Sequence, residues 1–248
     1  MMHPHKSPGP DGFFVKHWSF LKERVCDAVK EFLNGGEMPE AVNNTVLVLI
    51  PKIKSPQELA QYRPIALCNV LYKIVSKVLS LRLRPILEEI ISEEQSSFVL
   101  GRLITDNVVT AFECIHYLKK KKGKSGACAM KLDMAKAYDC VEWSYLRAIM
   151  EKLGFAQAWI SRVMACVESV SFSVRVNGVS SEQFKPSRRI RQGDPISPYL
   201  FLSCGEGFSS MLRYYGPQHL SRGIRVGIHA PWISHLLFAD DDIFTVLL

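Results

Sequence analysis

The sequence predicts an α+β fold, with helices packed on one face of an antiparallel sheet. Three observations point there. Apolar residues in the first half recur every three or four positions, the period of an amphipathic helix. From Gly126 onward, apolar runs of strand length alternate with helical stretches. Two pairs of those runs close on turn-forming residues, Asn177-Gly178 and the acidic pair Asp240-Asp241.

The elements follow in chain order. Phe13 to Leu33 places Phe14, Trp18, Leu21, Val25, Val29 and Phe32 on one helical stripe, closed by Asn34-Gly35-Gly36. Thr45 to Ile50 is a β-branched run expected as a buried strand. Val70 to Ile91 and Asp106 to Lys120 read as amphipathic helices, the first broken at Pro85, which has no amide hydrogen for the helical ladder. Ala127 to Leu132 is a short strand ending at Asp133. Helices are expected at Glu142 to Leu153, stopped by Gly154, and at Gln157 to Val167. Ser171 to Val176 and Val179 to Phe184 flank Asn177-Gly178 as a hairpin. Tyr199 to Tyr215 reads as a helix weakened by Gly205 and Gly207. Ile233 to Phe238 and Ile243 to Leu248 bracket the acidic pair. The expected division is a helical region, 1–125, followed by a mixed region, 126–248.

The chain of 248 residues carries a formal net charge of +7, the sign expected of a protein that meets a polyanion. Seven cysteines are scattered without a Cys-x-x-Cys pair, which fits reduced thiols in an intracellular protein. The N-terminus lacks the apolar core of a signal peptide, and no apolar run approaches the roughly 20 residues needed to span a bilayer. Secretion and membrane insertion are therefore not expected. Lys119 to Lys122, with Lys124 beyond, is the densest basic run. It reads as a template-backbone contact, a nuclear import signal, or the plainer solvated loop.

Adjacent aspartates between two strands are, taken alone, a solvated turn, and Asp133 alone equally suits a helix N-cap. If the three strands are neighbours in one sheet, however, Asp133, Asp240 and Asp241 converge. A cluster of aspartates without histidine or cysteine suits Mg²⁺ better than zinc.

Resemblance decides between these readings. Lys131-Leu132-Asp133-Met134-Ala135-Lys136-Ala137-Tyr138-Asp139, Arg191-Gln192-Gly193-Asp194-Pro195-Ile196-Ser197-Pro198 and Phe238-Ala239-Asp240-Asp241 resemble, in order, three core motifs of reverse transcriptases. The likeness is to non-LTR, LINE-type retrotransposon enzymes such as those of plant genomes. Upstream, Ser7 to Gly12, Leu49 to Lys52, Tyr62 to Asn69, Gln95 to Phe98 and Gly101 to Asn107 agree with it. The resemblance covers almost the whole chain. It implies a right-hand polymerase with fingers over 1–125 and palm over 126–248.

What the resemblance implies for the site is specific. Asp133 and Asp240 would be the principal ligands of two Mg²⁺ ions, for which Mn²⁺ could substitute, and Asp241 the more peripheral ligand. Tyr138 would lie under the incoming sugar and exclude a 2′-hydroxyl, against the simpler reading of a core aromatic. Gln192 and Gly193 would line the nucleotide and template pocket, where glycine permits close backbone approach; the alternative is a polar loop ahead of a helix. Arg63, assisted by Lys73, would clamp the triphosphate with its planar fork, although both also suit a solvated surface. The implied partners are an RNA template, a DNA primer and deoxynucleoside triphosphates.

Three departures from the family pattern stand out. Asp242 adds a third adjacent acid, with like-charge repulsion unless cations neutralise it. Arg189 stands where the family has glycine, and a positive φ there would strain it. The chain ends after the acidic hairpin, so the expectation is a fragment without the thumb. A catalytically silent, nucleic-acid-binding relic is the alternative, and a two-metal phosphatase or nuclease is weaker because it has no use for Tyr138 or Gln192-Gly193.

Overall fold

The computed structural model describes residues 17–122, 126–216, 218 and 223–247. The Ser7 to Gly12 motif, the Phe13-Phe14 start of the first predicted helix, Lys124 and Leu248 lie outside the described residues. The chain forms two compact units, each discontinuous in sequence: one takes the chain to Leu81 and Tyr138–Ser197, the other takes Arg82–Ala137 and Pro198–Leu248.

The first unit is built on a four-stranded mixed sheet of order β2-β1-β4-β5, formed by β1 (Asn44–Pro51), β2 (Tyr62–Cys68), β4 (Ser171–Val176) and β5 (Val179–Ser180). β1 runs antiparallel to β2, with Leu49 opposite Pro64, and parallel to β4, with Thr45 opposite Phe172. Thr45 and Leu47 are buried while their neighbours are half-buried, the alternation of a strand with one face on a core. β2 was not expected as a strand. Pro64 interrupts its sequence signal, yet proline is tolerated on an edge strand such as this one.

Asn177 and Gly178 both adopt positive φ (50° and 83°), as the expected two-residue hairpin requires. The second strand is shorter than expected. Beyond Ser180 the Ser181 amide still donates to the Val174 carbonyl (2.8 Å), but the Ser181 hydroxyl takes over as acceptor for the Val174 amide (2.9 Å), and a further bridge joins Phe172 and Phe184.

α1 (Trp18–Leu33) buries Val25, Val29 and Phe32. α2 (Val70–Leu83) ends just before Pro85, as expected, and the four-residue α3 (Leu87–Ile90) follows. α5 (Trp143–Lys152) buries Leu146 and Met150; α6 (Gln157–Glu168) buries Ile160, Val163, Met164, Cys166 and Val167. These two helices pack against each other.

The second unit holds an antiparallel sheet of order β3-β7-β6, made of β3 (Ala127–Asp133), β6 (His235–Phe238) and β7 (Asp241–Leu247). α4 (Ile104–Lys120) lines an apolar groove of about 420 Å³ with Leu236, Phe238 and Ile243. From α7 (Ser197–Tyr215), Phe208 meets Phe244 edge-on at 5.8 Å. No described helix is long and apolar enough to cross a membrane.

Candidate active site

The acidic hairpin lies in the second unit. β6 ends at Phe238, Ala239 turns the chain with a φ of +57°, and β7 begins at Asp241. β7 is the central strand, so its other neighbour, β3, brings Asp133 directly opposite Asp241. The Met134 amide donates to the Asp240 carbonyl (3.0 Å), which extends that pairing by one step. Asp133 and the distant adjacent pair Asp240-Asp241 thus share one end of a sheet, all three exposed.

Lys131, on the same strand as Asp133, places its ammonium 2.9 Å from Asp241 Oδ1. The hydrogen bond and charge of Asp241, followed by the more distant charge of Asp133, hold the Lys131 pKa above its ordinary value. Among the described residues no three histidine, cysteine, aspartate or glutamate side chains group closely enough to hold a metal ion. The donor set itself is chemically suited to Mg²⁺, being carboxylate oxygen throughout.

Asp242 does not extend this surface cluster. Successive strand residues point to opposite faces, so Asp242 turns away from Asp241 and is only 1 % exposed. Its Oδ1 has no hydrogen-bond partner. Burial, reinforced by the charges of Asp240 and Asp241, pushes its pKa up to about 6.

The remaining expected residues lie in the first unit. Tyr138 is half-buried in a short 3₁₀ turn, Ala137–Cys140, and its carbonyl accepts the Ile190 amide (2.9 Å). Arg63 is exposed on β2, opposite Ile50. Lys73 is half-buried on α2. Gly193 is exposed with φ +93°, and a Cβ there would lie 3.7 Å from the Ala66 carbonyl on β2. Its requirement for glycine is therefore conformational rather than steric. Gln192 beside it is half-buried.

Sequence reasoning missed what holds the Gln192-Gly193 turn. Arg191 and Asp194 flank it, each about 4 % exposed, and pair at 3.1 Å. The Arg191 guanidinium lies 3.8 Å from the Tyr72 ring centre and donates to Thr45 Oγ1 (3.1 Å), Asn43 Oδ1 and the Cys166 carbonyl (3.2 Å). Asp194 accepts from the Tyr72 hydroxyl (2.6 Å) and from Ser76. Burial alone would lower the Arg191 pKa, but Tyr72 and Asp194 outweigh it and hold the guanidinium charged. A buried pair of this kind stays only when its hydrogen bonds are made, and here they are. The signal available beforehand was an arginine and an aspartate three apart around Gln-Gly, which does not distinguish a buried pair from an exposed one.

Arg189 has a φ of +94°, the strained conformation expected at the family's glycine. Its amide donates to the Val141 carbonyl (2.8 Å), its carbonyl accepts from Trp143 Nε1 (2.8 Å), and its guanidinium sits 4.9 Å over Phe172. The 3.0 Å contact with Asp139 is an ion pair without hydrogen-bond geometry, since Asp139 Oδ1 and Arg189 Nε have no hydrogen-bond partner. Such a conformation costs roughly 1–3 kcal/mol and persists because the surroundings over-determine it.

Over residues 50–246 the chain matches the family model described as "Reverse transcriptase (RNA-dependent DNA polymerase)". It is 34% identical over 215 residues to the Transposon TX1 uncharacterized 149 kDa protein of Xenopus laevis, covering 85% of this chain and 16% of that protein. It is 27% identical to the Pol polyprotein from type-2 retrotransposable element R2DM of Drosophila melanogaster, over 79% of this chain and 18% of that protein. The fold is also that of apo telomerase from Candida tropicalis, with a TM-score of 0.55 at 14% identity over 88% of this chain and 47% of that one. The chain belongs to the reverse transcriptase family, among the non-LTR retrotransposon proteins. It spans less than a fifth of the length of those two retrotransposon relatives.

Proposed function

We propose that this chain is the fingers and palm of an RNA-directed DNA polymerase, extending a DNA primer on an RNA template from deoxynucleoside triphosphates. The observation that carries the reading is the register that sets Asp133 opposite Asp241, with the Asp240 carbonyl tied to Met134. Asp133 and Asp240 would be the chief ligands of two Mg²⁺ ions and Asp241 a peripheral one. Bound there, such ions would supply Lewis acidity to the attacking hydroxyl and charge neutralisation to the leaving pyrophosphate.

The protein's own side chains supply the rest. Lys131 balances the charge of Asp241 and would have to release that carboxylate when a cation takes it. Arg63, with Lys73, would orient the triphosphate, since a guanidinium meets phosphate oxygens through two parallel bonds. Gly193 would let the backbone approach the base pair, and Gln192 would give it a neutral hydrogen bond. The Tyr138 ring would exclude a 2′-hydroxyl. On this reading 1–125 acts as fingers and 126–248 as palm, a functional division that cuts across the two compact units.

Primer extension on an RNA template tests this, with the chain alone and joined to the region that follows it in an intact relative. Extension should require Mg²⁺ or Mn²⁺. Asp133→Asn should lower it about a thousandfold, the scale of several kcal/mol of lost transition-state stabilisation. Extension that persists in Asp133→Asn rejects the assignment. A second reading, a silent nucleic-acid-binding relic, draws on the unpaired buried Asp242 and the Lys131–Asp241 contact. Salt-sensitive binding to a primer-template duplex without extension in either form would favour it.

A further inference from the structure

Between α3 and α4, the family-like segment around Gln95 runs beside the acidic hairpin, within the same unit. Gln95 forms a parallel bridge with Leu237. The Leu237 amide donates to the Glu94 carbonyl (2.8 Å), and the Ser96 amide donates to the Leu237 carbonyl (3.2 Å). The Gln95 side chain is buried, and its Oε1 accepts the Ala239 amide (3.2 Å) and the Ser97 amide (2.9 Å). Ala239 is the residue whose φ of +57° makes the turn, a conformation disfavoured for any residue with a Cβ. An external bond at that amide is what a strained turn needs to stay in place.

The segment that presents Gln95 is itself braced. Asn107, in the first turn of α4, donates through Nδ2 to both the Glu94 carbonyl (2.9 Å) and the Leu237 carbonyl (2.8 Å). The Arg102 guanidinium donates to the Ile91 and Gln95 carbonyls (2.7 Å each) and to that of Ser92. Two side chains from one stretch of sequence, Gln95 and Asn107, thus reach the strand and turn that lead into Asp240, while Arg102 braces the stretch itself.

We infer that Gln95 is the positioning residue of the acidic turn. Its amide oxygen holds the Ala239 amide so that Asp240 and Asp241 stay at the sheet end occupied by Asp133, and Asn107 and Arg102 hold Gln95 in reach. The consequence for cation binding rests on the function proposed above; the latch itself does not.

Residue-resolved amide hydrogen exchange on the full chain, without added cation, reads the latch. Gln95→Met, close in length but without the acceptor, should speed exchange at Ala239 about tenfold, the size expected for losing one buried hydrogen bond. Exchange at Val174 in the other unit should stay unchanged. Gln95→Glu, which keeps an acceptor oxygen, should return Ala239 towards its original rate. Exchange unaltered at Ala239, or raised everywhere including Val174, overturns the local latch.

Mn²⁺ titration followed by electron paramagnetic resonance reads the consequence. Gln95→Met should weaken the Asp133-dependent binding about tenfold, in proportion to the lost bond. Adding Ala239→Gly should recover part of it, because glycine adopts the required φ freely. Faster exchange at Ala239 with unchanged Mn²⁺ affinity overturns the positioning role. If the unmodified chain shows no Mn²⁺ binding that Asp133→Asn removes, the cation reading fails instead, and exchange at Ala239 still decides the latch.

Discussion

Asp242 differs from Asp241 by one position and has the opposite environment. The side-chain period of a strand is two, so Asp241 faces out to Lys131 while Asp242 enters the interior with an unpartnered oxygen. The like-charge repulsion expected from the sequence is present, since Asp240 and Asp241 help raise the Asp242 pKa, but the larger cause is burial of a carboxyl with one unpartnered oxygen. Asp242→Ser, which removes it, should raise stability to denaturant by roughly 1–3 kcal/mol, the penalty for a buried group left unbonded. An unchanged or lower midpoint would mean that the carboxyl is satisfied in solution. Arg189 was more legible, because a family position reserved for glycine announces a positive φ whatever residue stands there.

At the level of elements, local signals were readable and distant pairings were not. Pro85 stops α2, and Asn177-Gly178 makes the hairpin, because the chemistry responsible lies within a few residues. β2 escaped notice because Pro64 argues against a strand unless the strand is known to be an edge, which depends on the neighbour chosen by β1. The parallel pairing of β1 with β4 joins segments with no local mark of each other. The same limit hid the Arg191–Asp194–Tyr72 network, in which Tyr72 lies more than a hundred residues from the other two.

β6 carries a pH-dependent element. His235 is fully buried, with Nε2 2.7 Å from Ser209 Oγ and Nδ1 2.8 Å from Ser234 Oγ. Burial holds its pKa below the usual 6.5, with Glu94 and Glu206 opposing and Arg213 assisting. In the unfolded chain the imidazole takes a proton below about 6.5, whereas in the fold it resists. The unfolded state therefore binds more protons, so this contribution is complete above 6.5 and is lost as pH falls towards the lower folded value. Denaturant midpoints at pH 7.5 and 5.5 should drop more for the unmodified chain than for His235→Gln. Equal drops would show that His235 titrates alike in both states.

On the scale of the whole molecule, the residues expected to act together separate into two sets. Asp133, Asp240 and Asp241 lie in one compact unit; Arg63, Lys73, Tyr138, Gln192 and Gly193 lie in the other. Each set has its own scaffold: the sheet end and the Gln95 segment for the acids, and the Arg191 network for the Gln192-Gly193 turn. No apolar pattern or charge count foretold that Asp133 would share a sheet end with the remote Asp240-Asp241 pair, and only the motif resemblance made it an expectation.

Cation-directed backbone cleavage tests that claim most directly. Fe²⁺ bound in place of Mg²⁺, with ascorbate and peroxide, cuts the chain beside the ion. The account predicts paired cuts next to Asp133 and next to Asp240-Asp241, competed away by Mg²⁺ and both abolished by Asp133→Asn. Cleavage at one of these places that survives Asp133→Asn would contradict it.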